Sequence, residues 1–173
     1  DRFGMTGNYH EFAFGPTRDK AGNYYVGLNL ASSGASIRPE IRGEFRHYGI
    51  SREQFYKNHR AGSGRMYSAT PFRGWILKIA PDGKTTPFAP GFRSPNGVNF
   101  DSAGRLWVTD NQGDWLGTSK LFHVKEGNFY GHPASLVWTG QWEVGRNPLK
   151  VAPAEFDAQR HRAAVLFPQG SMA

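Results

Sequence analysis

The chain has no cysteine. That absence excludes disulfide staples, thiolate metal centres and cysteine nucleophiles, and it leaves the redox compartment open. Long apolar runs are missing as well: no stretch approaches the roughly 18 residues that a membrane span requires. Asp1 opens on sequence of folded character. No signal peptide is therefore visible, and one that existed is expected to have been removed. Acidic residues are few, 14 Asp and Glu against 21 Lys and Arg, which gives a net charge of +7 and a pI near 9.9. Nucleic acid is the first partner such a balance suggests. The basic residues are dispersed, however, with no stripe or known motif, so nucleic acid is not expected as the main partner. Part of the excess falls between Arg38 and Arg65, which reads as a solvated insertion. Carboxylate pairs, Ser-His-Asp arrangements and nucleophile-elbow glycines are not visible as motifs, Asp157 and His161 being scattered. The Gly-rich pieces lack the strand-GxGxxG-helix setting of a nucleotide site.

What the chain does have is turns and rings. Its 173 residues suffice for one domain with a real core. Twenty-two glycines, eleven prolines and 14% aromatics, with a mean hydropathy of −0.58, favour an all-β, turn-dense fold over a helical one. Tyr9 to Phe14 alternates polar and apolar residues and reads as a strand that turns at Gly15-Pro16. Asp19 to Gly22 is a turn, and Tyr24 to Leu28 a second strand. The same unit returns later: Asp101 to Gly104 turns into Leu106-Trp107-Val108-Thr109. Asp19 and Asp101 stand 82 residues apart, and the same offset pairs Gly22 with Gly104, Val26 with Val108 and Asn29 with Asn111. On that offset Tyr24 and Tyr25 fall on Leu106 and Trp107, and Tyr24, Tyr25 and Trp107 are expected in the core.

A propeller blade runs about 40–50 residues. The 82-residue spacing thus reads as one blade with a long insertion, 31–67, holding one short helix with Ser51 as N-cap and Gln54 three residues on. Trp75 to Ile79 and the strand after Asp82-Gly83 form a hairpin that finishes the first blade. A second blade spans about 91–150, with Lys120 to Lys125 and a Glu126-Gly127 turn, and an irregular stretch from Ala134. A further blade begins at 160–173. The expected fold is a partial β-propeller, a fragment or a chain that completes itself with a partner, because propellers close through 4–8 blades. The second blade carries a polar cluster, Asp110-Asn111-Gln112-Gly113-Asp114, at a strand end, where a loop can hold a ligand without loss of sheet pairing.

Two stretches carry a resemblance. One is His10 ahead of Phe14-Gly15-Pro16 and the Asp19 to Gly22 turn. The other is Arg93-Ser94-Pro95-Asn96-Gly97, then Asp110-Asn111-Gln112-Gly113, then Asn128-Phe129-Tyr130-Gly131-His132-Pro133. In this order, over about two thirds of the chain, they resemble the soluble quinone-dependent sugar dehydrogenases of the glucose/sorbosone dehydrogenase family. Members are six-bladed propellers carrying pyrroloquinoline quinone (PQQ) and calcium. The chain departs from the pattern at Ser94, where the family has Asn, at Asp114 after Gly113, and at His132, where Trp is usual. These departures bring it closer to the sorbosone-type or membrane-bound dehydrogenase-like members than to the glucose enzymes.

The resemblance implies oxidation of a sugar hydroxyl or hemiacetal by hydride transfer to PQQ, in the periplasm or outside the cell. Within it His10 is the general base, and Arg93 lies over the quinone and stabilises its reduced oxygen. Ser94, Asn96 and either Asn111 or Gln112 face the cofactor, and Gly113 with Asp114 hold calcium. Asp110, whose first-blade counterpart is Leu28, and Tyr130 and His132 are pocket candidates. From residue types alone, His10 is a half-buried strand histidine, Arg93 a surface arginine and 111–114 a strand-end turn. Two alternatives stay open: a non-catalytic propeller that binds glycan or protein, and a calcium-dependent lactonase-like propeller. The expected partners are a sugar substrate and either the remaining blades or a second copy, and residues 1–173 alone are not expected to be a competent enzyme.

Overall fold

Two Asp-x-x-Gly turns with aromatic and β-branched residues behind them set the framework. A computed structural model of the chain describes residues 3–32, 41–49, 51–58, 65–143 and 145–170. The elements in order are β1 (Ala13–Arg18), β2 (Tyr24–Leu28), α1 (Arg52–Asn58), β3 (Trp75–Ile79) and β4 (Thr85–Pro90). There follow β5 (Gly97–Phe100), β6 (Leu106–Asp110), β7 (Lys120–Val124), α2 (Pro153–Gln159) and β8 (Val165–Leu166). They form two antiparallel four-stranded sheets, β1-β2-β3-β4 and β5-β6-β7-β8, each in simple sequence order. The chain is mostly β, as its composition implies, and no helix among the described residues is long and apolar enough to cross a membrane.

The 82-residue repeat is written in hydrogen bonds. In the first sheet Asp19 Oδ1 accepts from Asn23 N–H at 2.8 Å and its Oδ2 from the Tyr25 hydroxyl at 3.2 Å. In the second, Asp101 Oδ1 accepts from Arg105 N–H at 2.9 Å and Oδ2 from Trp107 Nε1 at 2.9 Å. Strands β1 and β5 lie side by side, and Thr17 Oγ1 donates to Asn99 Oδ1 at 3.1 Å, again across 82 residues.

Between the sheets sits the main core, built from Tyr25, Ile76, Phe92, Val108, Phe122 and Tyr130. The Tyr25 ring meets Phe88 and Phe100 edge-on, each at 5.1 Å between centroids, an arrangement that adds to area burial. The other face of the first sheet presents Leu28, Trp75 and Leu77. It is covered by a 3-10 turn, Pro133–Trp138, whose Ser135 carbonyl accepts from Trp75 Nε1 at 2.9 Å.

Several expectations change. Strand β1 begins later than Tyr9 and runs through Gly15-Pro16, which the sequence suggests as a turn. The pair is absorbed as an irregularity between Phe14 and Thr17 on the sheet edge, where a missing proline N–H removes no ladder bond. The strand assigned to a further blade at 160–173 is instead β8, which pairs with β7 and completes the second sheet. Residues 171–173 lie outside the described part. Tyr24 is exposed, because β2 alternates and Tyr25 takes the inward place. The insertion 31–67 lies partly outside the described residues, but its ends are pinned by a bridge between Ala31 and Tyr67. Its helix α1 has the expected reciprocal cap: Gln54 N–H donates to Ser51 Oγ at 3.1 Å, and Ser51 N–H to Gln54 Oε1 at 2.8 Å. Phe55 is buried against Tyr67 and Ala69, so this part of the insertion is anchored and not merely solvated.

The segment before β1 is held by a buried ion pair. Arg73 Nε stands 3.8 Å from Glu11 Oε1, both side chains being 1% exposed. Arg73 also donates to the carbonyls of Gly4 at 3.0 Å and Phe12 at 3.1 Å, and Glu11 Oε2 accepts from Thr6 N–H at 2.6 Å. Burial raises the Glu11 carboxyl above its usual range, against the pull of Arg73. Arg73→Met leaves that carboxylate buried and unpaired, and is expected to cost about 3–5 kcal/mol at neutral pH in denaturant unfolding. A raised pKa means the folded state holds the proton longer than the unfolded one. Stability of the variant therefore falls as pH rises above roughly 4, and falls further than in the parent protein. A flat pH dependence in Arg73→Met, or full stability at pH 7, would contradict this account.

Candidate functional site

The site grows from the end of β6. Asp110 closes that strand with its side chain 1% exposed, directly opposite Lys120, the first residue of β7. Its carboxylate accepts from Ser94 N–H at 2.6 Å and from Arg93 N–H at 3.2 Å, and Lys120 Nζ lies 3.3 Å from Oδ2. Lys120 Nζ donates in turn to the Asn111 carbonyl at 2.6 Å. Burial pulls the lysine pKa down, and Asp110 opposes that shift, so one carboxylate both pairs with the lysine and fixes the Arg93 loop. The loop enters through Gly91 at φ +106°, where a Cβ would come within 2.7 Å of Gly131 N, so only glycine fits. Leu30 N–H donates to the Arg93 carbonyl at 3.0 Å, which ties the exit of β2 to the same loop.

Beyond Asp110 the polar stretch folds back, Gly113 N–H donating to the Leu116 carbonyl at 2.9 Å. The Arg93 side-chain stem lies along Gly113, with Cδ 3.2 Å from where a Cβ would stand. Asp114 Oδ2 accepts from Met66 N–H at 3.0 Å and stands 3.8 Å from Nε2 of buried His132. Around these groups opens a cavity of about 410 Å³, lined by Ser32, Arg65, Met66, Arg93, Gln112 and Asp114, with Gly113, Gly117 and Gln169 completing the wall.

Of the residues picked from sequence, Arg93, Gln112, Gly113 and Asp114 therefore meet in one cavity. His10 joins from behind: its Nδ1 is hydrogen-bonded to Ser32 Oγ. Between the two amides, Gln112 lines the cavity, whereas Asn111 Oδ1 accepts from the Ser119 hydroxyl at 3.3 Å. Ser94 is buried against Asp110, and Asn96 is exposed away from the lining. Asp110, Tyr130 and His132 border a void of about 10 Å³ behind the wall, at the lower limit for a single water. Their work is framework. The Tyr130 hydroxyl donates to the His123 carbonyl at 3.1 Å and accepts from Lys125 N–H at 2.7 Å. His132 Nδ1 accepts from Ala134 N–H at 3.4 Å, capping the 3-10 turn.

Sequence reasoning missed Ser32, Arg65, Met66 and Gln169. A signal existed for Ser32: on the 82-residue offset it is the counterpart of Asp114, so both leave equivalent strands at the same end. Arg65 and Gln169 carry no such mark.

Arg65 and Arg93 bring two guanidinium groups to a wall that holds one carboxylate, and among the described residues Arg93 makes no ion pair. Arg65 also sits over the Trp115 ring at 5.2 Å. Calcium asks for six to eight oxygen ligands. Asp114 is the one carboxylate available, it is already bonded to Met66 N–H, and among the described residues no group of three or more His, Asp or Glu side chains converges. The lining thus offers a cation one carboxylate, Asp114, its other oxygens being amide, hydroxyl and backbone groups.

Facing His132 holds the Asp114 carboxyl below its usual range, with the Met66 N–H assisting and burial opposing. A lowered carboxyl pKa contributes stability that is full above roughly pH 4 and is lost as pH falls through the folded value. Asp114→Asn is expected to flatten that acid limb in unfolding curves taken between pH 2 and 6, and to loosen Met66. An unchanged acid limb would show that the contact does not couple to folding.

Comparison with family models, with curated proteins and with solved structures finds no match for this chain.

Proposed function

We propose that the 410 Å³ cavity is the cofactor and substrate site of a quinone-dependent sugar dehydrogenase of propeller architecture, to which this chain contributes two blades. One observation carries the reading. Residues singled out at positions 93 and 112–114 line one cavity, and His10, from the far end of the chain, reaches it through a single hydrogen bond. The side-by-side placement of β1 and β5, related by the same 82-residue offset, suits two neighbouring blades with their first strands innermost.

PQQ is a planar tricarboxylate, and the two guanidinium groups fit its charge. Arg65 and Arg93 would hold the carboxylates, with Gln112 as an uncharged hydrogen-bonding partner. When bound, the quinone supplies an acceptor for the hydride of an alcohol carbon. The residues of this chain bind, orient and take up the hydroxyl proton, a task for the imidazole of His10. The sugar partner and an extracytoplasmic location belong to the same proposal. So do the remaining blades or a second copy, for which exposed Phe12 and Leu166 offer apolar surface.

The test is dye-coupled oxidation by the whole protein with added PQQ across a panel of aldoses. The expected outcome is sugar-dependent dye reduction. Arg93→Ala should lower kcat/KM about 100-fold with the circular dichroism spectrum unchanged. Glycan binding without reduction of dye by any aldose would replace this reading with that of a binding module.

A further inference from the structure

His10, the residue that sequence marks as the base, does not line the cavity; Ser32 does. We propose that Ser32 is the catalytic residue that meets the substrate hydroxyl, and that Ser32 and His10 act as a dyad passing its proton to His10 Nδ1. The inference rests on the oxidation reading for the identity of the substrate, while the dyad itself stands on geometry.

Three observations support it. The Ser32 hydroxyl is hydrogen-bonded to His10 Nδ1, so in the tautomer with its proton on Nε2 the imidazole accepts from serine. Buried Asn8 then fixes both members. Its Oδ1 accepts from His10 N–H at 3.0 Å and Ser32 N–H at 3.4 Å, and its Nδ2 donates to the Ser32 carbonyl at 2.9 Å. Asn8 is itself held by Tyr67, whose hydroxyl accepts from Nδ2 at 3.3 Å, and Tyr67 bridges to Ala31 next to Ser32. Finally, Arg65 and Arg93 share the wall with Ser32, and their charge favours the alkoxide character that develops as the proton leaves.

In the step the substrate O–H bond breaks and its proton goes to Ser32 Oγ, while the Ser32 proton moves to His10 Nδ1. With a quinone acceptor bound, the adjacent carbon would give its hydride to it and become a carbonyl or lactone carbon. Serine is regenerated, and His10 carries the proton out.

Two measurements on the whole protein test this separately from the oxidation reading. The first is labelling with a fluorophosphonate and peptide mapping. There Ser32 Oγ forms a bond to phosphorus, the P–F bond breaks, fluoride leaves, and the hydroxyl proton passes to His10. Ser32 should be labelled in the parent protein and at least tenfold more slowly in His10→Gln. The second is turnover. Ser32→Ala should lower kcat about 100-fold with KM changed less than threefold, and Ser32→Thr should restore part of the loss and the solvent deuterium isotope effect. Absence of label at Ser32, or labelling unchanged in His10→Gln, overturns the dyad whether or not sugar is oxidised. So does an unchanged kcat in Ser32→Ala. Label at Ser32 in a protein that oxidises no sugar keeps the dyad and discards the oxidation reading.

Discussion

The carboxylate of Asp110 is the point on which the site depends. It lies buried at the end of β6, and its two oxygens hold the backbone of Arg93 and Ser94 and the ammonium of Lys120. Without it a charged lysine would be left in the interior and the Arg93 loop would lose its hydrogen-bond acceptor, a class of change that typically costs several kcal/mol. The buried pair is weak evidence for stability as such, since two well-packed apolar residues could serve there equally. Its distinct contribution is position: a carboxylate can accept from a loop backbone and neutralise a lysine together, and no apolar pair can. The first sheet has Leu28 at the equivalent place, buried in apolar packing.

A second network carries the opposite wall. Arg73 and Glu11 clamp the segment before β1, and Asn8 within that segment sets His10 against Ser32. The cavity thus lies between two polar frameworks, one in each sheet, joined where Leu30 N–H meets the Arg93 carbonyl. Each framework is buried and hydrogen-bonded, which is what holds a functional group to a fraction of an ångström. The lining they leave combines Arg65, Arg93, Gln112 and Ser32 with one carboxylate, Asp114.

The outer parts of the chain serve the same arrangement. The 3-10 turn Pro133–Trp138 covers the far face of the first sheet, and its cap His132 faces Asp114 from behind. Asp114 in turn holds Met66 at the return of the insertion. A residue that looks like a pocket group in the sequence, His132, is thereby a wall fixture, and the reason is that its two nitrogens are directed at a backbone N–H and a neighbouring carboxylate.

What the sequence determined by itself is local. The Asp19 and Asp101 turns, the Asp82-Gly83 hairpin, the Ser51 cap and the strands beside them follow from contacts within a few residues, where side chain and backbone decide without help. The 82-residue repeat was legible too, because equal turns demand equal residues. Half of the site was legible in the same way, since Arg93 and 112–114 stand next to turn signals. Tertiary structure decided the rest: that β8 completes the second sheet, that Gly15-Pro16 is absorbed in an edge strand, that Gln112 and not Asn111 faces the cavity, and that Ser32 stands between it and His10. These outcomes depend on pairs such as Asn8 with Ser32 and Leu30 with Arg93. Such residues have no local relation, and they meet only after sheet pairing has brought distant segments to one edge.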